Sequence, residues 1–250
     1  MNKFLTFLFF FFFSVSVQGA DFSMISPGSE GDNDSAQIVL QELYTYLKSQ
    51  TQENWDGEYF NEEKTALEKL ETGNMDFVIV SHEFFEKFKD TFNLVEILKT
   101  IPIYANNPFE TLFLLAGPLT KDFHHPISSQ NYSKTILKKA FPQNNFSEIT
   151  VTPEILQAIQ NVANGESAQA LLVSGYEYFL IQTFQNTNSD FQKLRIFASS
   201  EPLPSAIVVG FNSKSELKEK FIRALIELPQ TKEGKALLKN LRLKGFQFQK

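Results

Sequence analysis

The chain has 250 residues, 42% of them hydrophobic, a formal net charge of −6 and no cysteine. The lack of cysteine excludes disulfides, thiolate metal centres, a cysteine nucleophile and a lipid-modified N-terminal cysteine. The acidic balance gives no electrostatic footprint for nucleic acid or anionic lipid.

The first element in chain order is a targeting segment. Lys3 supplies a positive start, Phe4 to Phe13 form an almost unbroken apolar run extended by Val15 and Val17, and small residues follow. These are the three parts of a secretory signal. Val17 and Gly19 suit the positions before a signal-peptidase cut, so cleavage is expected after Gly19 and residues 1–19 are read as a signal peptide. A membrane anchor is the competing reading. The run is shorter than the roughly 20 residues a spanning helix needs, and polar Gln18 and Asp21 follow at once. The remainder, about 230 residues, suits one large domain or two small lobes. It is one unit more acidic than the full chain, because the segment holds Lys3 and no acid.

Asp21 to Ser26 reads as a short strand, followed by a loop rich in Gly, Ser and acids from Pro27 to Asp34. Ala36, Val39, Leu40, Leu43 and Leu47 recur at helical spacing, and Asp34 or Ser35 is a candidate cap. Asn54 to Phe60, with the single Trp55, reads as strand or loop. Glu62 to Glu71 reads as a helix stopped by Gly73. Phe77-Val-Ile-Val80 is the continuous apolar run of a strand buried on both faces, and His82 to Lys89 starts another helix. Such alternation points to a parallel sheet with flanking helices.

The second half repeats the first. Leu70-Glu-Thr-Gly-Asn-Met-Asp-Phe-Val-Ile-Val-Ser-His-Glu-Phe-Phe85 has a counterpart in Val162-Ala-Asn-Gly-Glu-Ser-Ala-Gln-Ala-Leu-Leu-Val-Ser-Gly-Tyr-Glu-Tyr178. Both read as helix, glycine stop, buried strand, serine and aromatic-rich helix. Each is followed by a Pro-bearing segment and an apolar strand: Glu96 to Pro102 before Thr111 to Ala116, and Arg195 to Pro202 before Ala206 to Gly210. Two such units make a two-lobed protein. The chain then closes with a helix whose inner stripe is Leu217, Phe221, Ala224, Leu225 and Leu228, with Ser213 and Glu216 as a capping box. Pro229 ends it, and a shorter helix runs from about Glu233 to Leu241.

Enzyme motifs are lacking: the sequence has no nucleophile elbow, His-Glu-x-x-His or P-loop, so no catalytic residue and no cofactor are expected. Ser215-Glu-Leu-Lys218 fits the first exposed turn of a helix. His124-His125 reads as part of a polar loop with no acid at metal-ligand spacing, so no metal site is expected. The candidates for ligand contact are loops at the carboxyl ends of strands, where open α/β sheets bind ligands and helix N-termini favour anions. They are Ser26, the Ser81-His82 pair, Ser128 and Ser129, and Ser174 with Tyr176. Helix capping is the competing role for each serine. The acids Glu30, Asp32 and Asp34 disfavour a bare multivalent anion beside the first loop and suit an ammonium group or plain solvation.

In order of elements the chain resembles the type II periplasmic solute-binding proteins, within them the phosphate/phosphite/phosphonate group. The resemblance rests on Leu70 to Asp76 before the buried strand and on Asn164-Gly-Glu before Ala170-Leu-Leu-Val173. It rests also on Leu194-Arg-Ile-Phe-Ala-Ser-Ser-Glu-Pro-Leu-Pro204 with Ile207-Val-Val209, Gly234-Lys-Ala-Leu-Leu238 and Gly245-Phe246. It implies an α/β fold of two lobes, each a mostly parallel sheet flanked by helices, with crossover hinges near Pro102-Ile-Tyr104 and Pro202-Leu-Pro204. Lobe 1 would hold residues 20–103 and 203–250, and lobe 2 residues 104–202. It also implies a monomer in the periplasm of a Gram-negative bacterium, capturing a small oxyanion for an ABC permease; the alternative is a sensing or scaffold module beside a membrane sensor kinase. The chain lacks the Ser-Thr-Ser-Gly-like loop of the phosphonate binders and has Gln169 where an aspartate is usual. Either Ser128-Ser129 stands in for that loop, or Ser133-Lys-Thr-Ile136 is the preceding strand and Phe141-Pro-Gln143 the loop.

Overall fold

A computed structural model of the chain describes residues 19–27, 33–185, 189–211 and 215–248. The expected signal segment up to Gln18, the acids Glu30 and Asp32, and Ser213 of the expected capping box lie outside the described residues.

The first half runs β1 (Ala20–Ile25), α1 (Asn33–Thr51), β2 (Trp55–Asp56), β3 (Tyr59–Phe60), α2 (Glu63–Glu71), β4 (Phe77–Val80), α3 (His82–Phe92) and β5 (Val95–Pro102). The chain crosses over through β6 (Phe109–Glu110) into β7 (Phe113–Ala116), β8 (Asp122–Ser128), α4 (Lys134–Ala140), β9 (Thr150–Val151), α5 (Ile155–Asn164), β10 (Gln169–Val173), α6 (Gly175–Gln185) and β11 (Arg195–Ser199). It returns through β12 (Leu203–Pro204) to β13 (Ile207–Gly210), α7 (Ser215–Glu227), α8 (Lys232–Asn240) and β14 (Leu243–Gln247).

Two mixed sheets result. The first has the order β14-β5-β13-β4-β1-β2, with β3 also on β1; the second has the order β11-β7-β10-β8-β9. The pairs of β1 with β2, β3 and β4, and of β8 with β9 and β10, are parallel. The pairs made by β13 and β7 are antiparallel, as is that of β14 with β5. The parallel content is therefore lower than the repeat alone predicts. A strand arriving from the other half enters where the parallel strands finish, and so runs against them: Ile207 opens β13 opposite Val80, the last residue of β4, and Phe113 opens β7 opposite Val173, the last of β10. The crossovers are joined by a short antiparallel ribbon, Leu203 opposite Glu110 and Pro204 opposite Phe109.

The repeat is visible in backbone geometry. The helix-stopping glycines Gly73 and Gly165 have φ of 66° and 78°, left-handed values that glycine adopts without the Cβ penalty of other residues. α1 starts at Asn33, so Asp34 and Ser35 lie in its first turn, where an acid favours the helix dipole. α7 ends before Pro229, which lies in a 3-10 turn.

Stacked aromatic rings fill the core of the first sheet. In the first sheet Phe77 stacks on Phe221 at 4.0 Å between ring centres, and Phe22 and Trp55 close on Phe221 at 5.0 and 5.2 Å. Each fully buried phenylalanine contributes roughly 1.5–3 kcal/mol of apolar transfer. The Trp55 indole N–H is satisfied by Thr51 Oγ1 at 2.8 Å, whose own hydroxyl donates to the Leu47 carbonyl at 2.7 Å. The second half packs separate cores on the two faces of its sheet, one around Ile159 and Val162, the other around Leu114 and Leu137.

Candidate functional site

The carboxyl ends of β1, β4, β8 and β10 open into the space between the two sheets, and two cavities lie there. The first, about 250 Å3, is walled on one side by Ser26, Thr100, Pro102, Ala206 and the turn Leu241-Arg242-Leu243. Ser129, Gln130, Ser174, Tyr176 and Glu177 wall the other side, and Tyr104 and Glu110 come from the crossover. The second, about 320 Å3, is lined by Pro27, Glu63, Ser81, Glu83, Phe84 and Lys87 opposite Asn131 and Ser133. Its lysine is paired: Lys87 Nζ donates to both carboxylate oxygens of Glu63 at 2.7 and 2.8 Å.

The serines act first as caps. Ser81 Oγ accepts from the Phe84 N–H at 3.2 Å, and Ser133 Oγ from the Ile136 N–H at 3.2 Å. Ser133-Lys-Thr-Ile136 therefore opens α4 and is not a strand, Phe141-Pro-Gln143 follows the far end of that helix, and Ser128-Ser129 close the preceding strand. Ser128 is fully buried and its hydroxyl oxygen accepts from the Gln130 N–H at 3.3 Å, a turn-forming role.

Ser174-Gly-Tyr-Glu177 is a capping box with reciprocal bonds. The Glu177 N–H donates to Ser174 Oγ at 3.2 Å, and the Ser174 N–H donates to Glu177 Oε2 at 2.6 Å. Glu177 Oε1 also accepts from the Ser129 hydroxyl at 2.5 Å. One carboxylate thus takes donors from two loops of the second sheet. The equivalent position after Ser81 is the apolar Phe84, so α3 has no such carboxylate.

Other charges complete the first cavity. Arg242, in the turn between α8 and β14, holds its guanidinium 4.4 Å from the Tyr176 ring centre. The Glu110 carboxyl accepts no hydrogen bond from any described side chain, and burial pushes it up to about 7. Burial, reinforced by Glu110 and Glu177, raises the Tyr104 phenol and keeps it protonated. The Tyr104 ring lies over Gly175 so closely that a Cβ there would sit 2.3 Å from Cε2. The arrangement offers a guanidinium, two carboxyls, phenols and hydroxyls: groups that hold a polar solute.

Residues 128–249 match the family model described as ABC transporter, phosphonate, periplasmic substrate-binding protein. The match spans just under half of the chain. Solved structures agree in fold. A binding-protein component of an ABC phosphonate transporter from Pseudomonas aeruginosa superposes with a TM-score of 0.64 at 12% identity, over 93% of this chain and 82% of that one. PhnD1 from Prochlorococcus marinus, in complex with methylphosphonate, gives 0.65 at 11% identity over 92% of each chain. XAC2383 from Xanthomonas citri, bound to ATP, gives 0.67 at 11% identity over 92% of this chain and 91% of that one. Among curated proteins no sequence matches this chain.

In this periplasmic-binding-protein fold the first cavity gathers Ser26, Ser129, Ser174 and Tyr176 from the sequence candidates. Ser81 lines the second cavity, and Ser128 lies in the core. His82 lines neither; it is half-buried at the start of α3, its Nδ1 buried without a hydrogen-bond partner. Burial lowers its pKa against the opposing pull of Glu86, with Lys139, Lys99 and Lys89 adding to the lowering. His124 and His125 lie on β8, not in a loop; His125 Nδ1 lies 3.0 Å from Asp122 Oδ2, and His124 Nδ1 lies 2.6 Å from the Asn145 carbonyl. Sequence reasoning missed Glu177, Arg242, Glu110 and Tyr104 as cavity residues. For Glu177 a signal existed in the Ser-x-x-Glu spacing. For Arg242 and Glu110 none did, because a turn and a crossover bring them in from distant segments.

Proposed function

We propose that this protein captures a small solute in the cleft between its lobes and hands it to a membrane ABC permease. The reading rests on one observation: the first cavity is walled by both halves of the molecule, as a clamp closing on its ligand requires. Lobe 1 comprises residues 20–103 and 203–250 and lobe 2 residues 104–202, with hinges near Pro102-Ile-Tyr104 and Pro202-Leu-Pro204. The ribbon between β6 and β12 makes the two connections move as one. The family description supports a periplasmic location and a phosphonate-like solute, and Arg242 is the cation that receives its acid group. Export by signal cleavage after Gly19 leaves Ala20 as the first residue of β1, where its nitrogen donates to the Asn54 carbonyl at 2.8 Å. The protein acts as a monomer without nucleic-acid contact, and binds rather than transforms its ligand.

The test is the melting temperature of the mature protein against phosphate, phosphite, methylphosphonate, aminoethylphosphonate, sulfate and amino acids. A ligand at about 100 times its Kd adds roughly 2.7 kcal/mol, and each kcal/mol raises the melting temperature of a chain this size by about 2–4 °C. The expected result is a shift with at least one of these solutes that disappears in Arg242→Ala. A wild-type protein that responds to none of them overturns the reading.

A further inference from the structure

Both repeats present a serine at the end of a buried strand followed by a helix, the place where this architecture receives anions. They differ three residues on. In lobe 1 the residue is Phe84; in lobe 2 it is Glu177, whose carboxylate takes the Ser174 N–H at 2.6 Å and the Ser129 hydroxyl at 2.5 Å. Those are the donors a ligand oxyanion would use. A second carboxyl, Glu110, lines the same cavity with no hydrogen-bond donor from any described side chain. Arg242 stands across the cavity, over Tyr176.

We infer that Glu177 is a built-in occupant of the lobe 2 oxyanion position and determines the specificity of the cleft. It rests on the cleft being the binding site. A second anion at the α6 N-terminus meets a like charge and finds the donors taken, and like charges at contact distance repel strongly where water is excluded. The acid group of the solute goes instead to Arg242. The group that the solute presents to the Glu177 carboxylate is a hydrogen-bond donor, because a carboxylate only accepts. A fully deprotonated oxyanion such as sulfate, which carries no donor, is the most disfavoured.

Calorimetric titration of wild type, Glu177→Gln and Glu177→Ala with sulfate, inorganic phosphate and methylphosphonate tests this. The glutamine variant keeps a capping-box residue and so keeps the fold if the alanine variant does not; circular dichroism and melting check both. Removing the carboxylate is expected to tighten binding of at least one of these anions roughly tenfold or more, and Ser129→Ala added to the better variant is expected to reduce the gain. Wild-type binding as tight as in the variants, or folded variants without a gain, overturns the inference. The solute-binding reading fails separately, since its test on wild type and Arg242→Ala does not involve Glu177.

Discussion

The guanidinium of Arg242 lies 4.4 Å from the centre of the Tyr176 ring, and this contact joins the two lobes across the cleft. Arg242 belongs to the turn between α8 and β14 on the first sheet, and Tyr176 to the first turn of α6 on the second. The Arg242 carbonyl also accepts from the Ile103 N–H at 3.0 Å, tying the turn to the first crossover. The arginine holds this place in an unfavourable backbone conformation, with φ of 58°. A left-handed residue other than glycine costs on the order of 1 kcal/mol or more.

That conflict predicts opposite effects on stability and binding. Arg242→Gly relieves the backbone and is expected to be more stable than Arg242→Ala by roughly 1 kcal/mol in urea melts. Both variants lose the cation, and both are expected to lose the ligand-induced shift. A glycine variant that still responds to ligand would remove Arg242 from the site.

Gly175 predicts a coupled pair. A Cβ at this position would lie 2.3 Å from Tyr104 Cε2 and 2.6 Å from Cζ, so Gly175→Ala must push the Tyr104 ring out of place. Overpacking of this kind costs about 1–3 kcal/mol. The tyrosine also lines the cavity, so binding is expected to weaken with stability. Adding Tyr104→Ala removes the clash, and a double-mutant cycle is expected to give a favourable coupling of roughly 0.5–3 kcal/mol. Additive effects would mean that the ring gives way freely.

The legible parts of the molecule were those set by local pattern. The paired glycines, buried strands and serines follow from residue periodicity and turn chemistry, because Gly73 and Gly165 need left-handed backbone and four consecutive apolar residues such as Phe77 to Val80 need burial on both faces. Periodicity alone does not give the exchange of β7 and β13 between halves, since it identifies a strand and not its neighbour; the crossovers near Pro102 and Pro202 came from the family resemblance. β14 was missed for a related reason: Gly245 interrupts its pattern, and its partner β5 lies more than a hundred residues earlier. Ser26, Ser129, Ser174 and Tyr176 meet at the cavity because loops at strand carboxyl ends converge. Arg242 and Glu110 required the three-dimensional path of the chain.

Glu110 predicts a stability profile. Its carboxyl moves from an ordinary 4.5 to about 7 because burial disfavours the charged form. The folded protein holds this proton between those values while the unfolded chain has released it. Stability from this group is therefore full below about 4.5 and falls as pH rises toward 7, by at most about 1.4 kcal/mol per unit. Glu110→Gln is expected to remove that slope and to be more stable than wild type above pH 7, read as the difference between melts across pH 4 to about 8. Parallel profiles would mean that Glu110 reaches water freely.

His82 acts in the opposite direction. Burial lowers its pKa below the ordinary 6.5, so the unfolded chain binds a proton more readily than the folded one. Stability from this group is full above about 6.5 and declines as pH falls through the window below it. Its Nδ1 is buried and makes no hydrogen bond, and an unsatisfied buried polar atom costs about 1–3 kcal/mol. His82→Leu removes that atom and the titration together. It is expected to match or exceed wild-type stability at neutral pH and to flatten the acid limb of the profile. Its ligand-induced melting shift decides the remaining role: a shift equal to that of wild type assigns His82 to packing at the start of α3, whereas a stable variant without a shift makes its ring a ligand contact supplied when the lobes close.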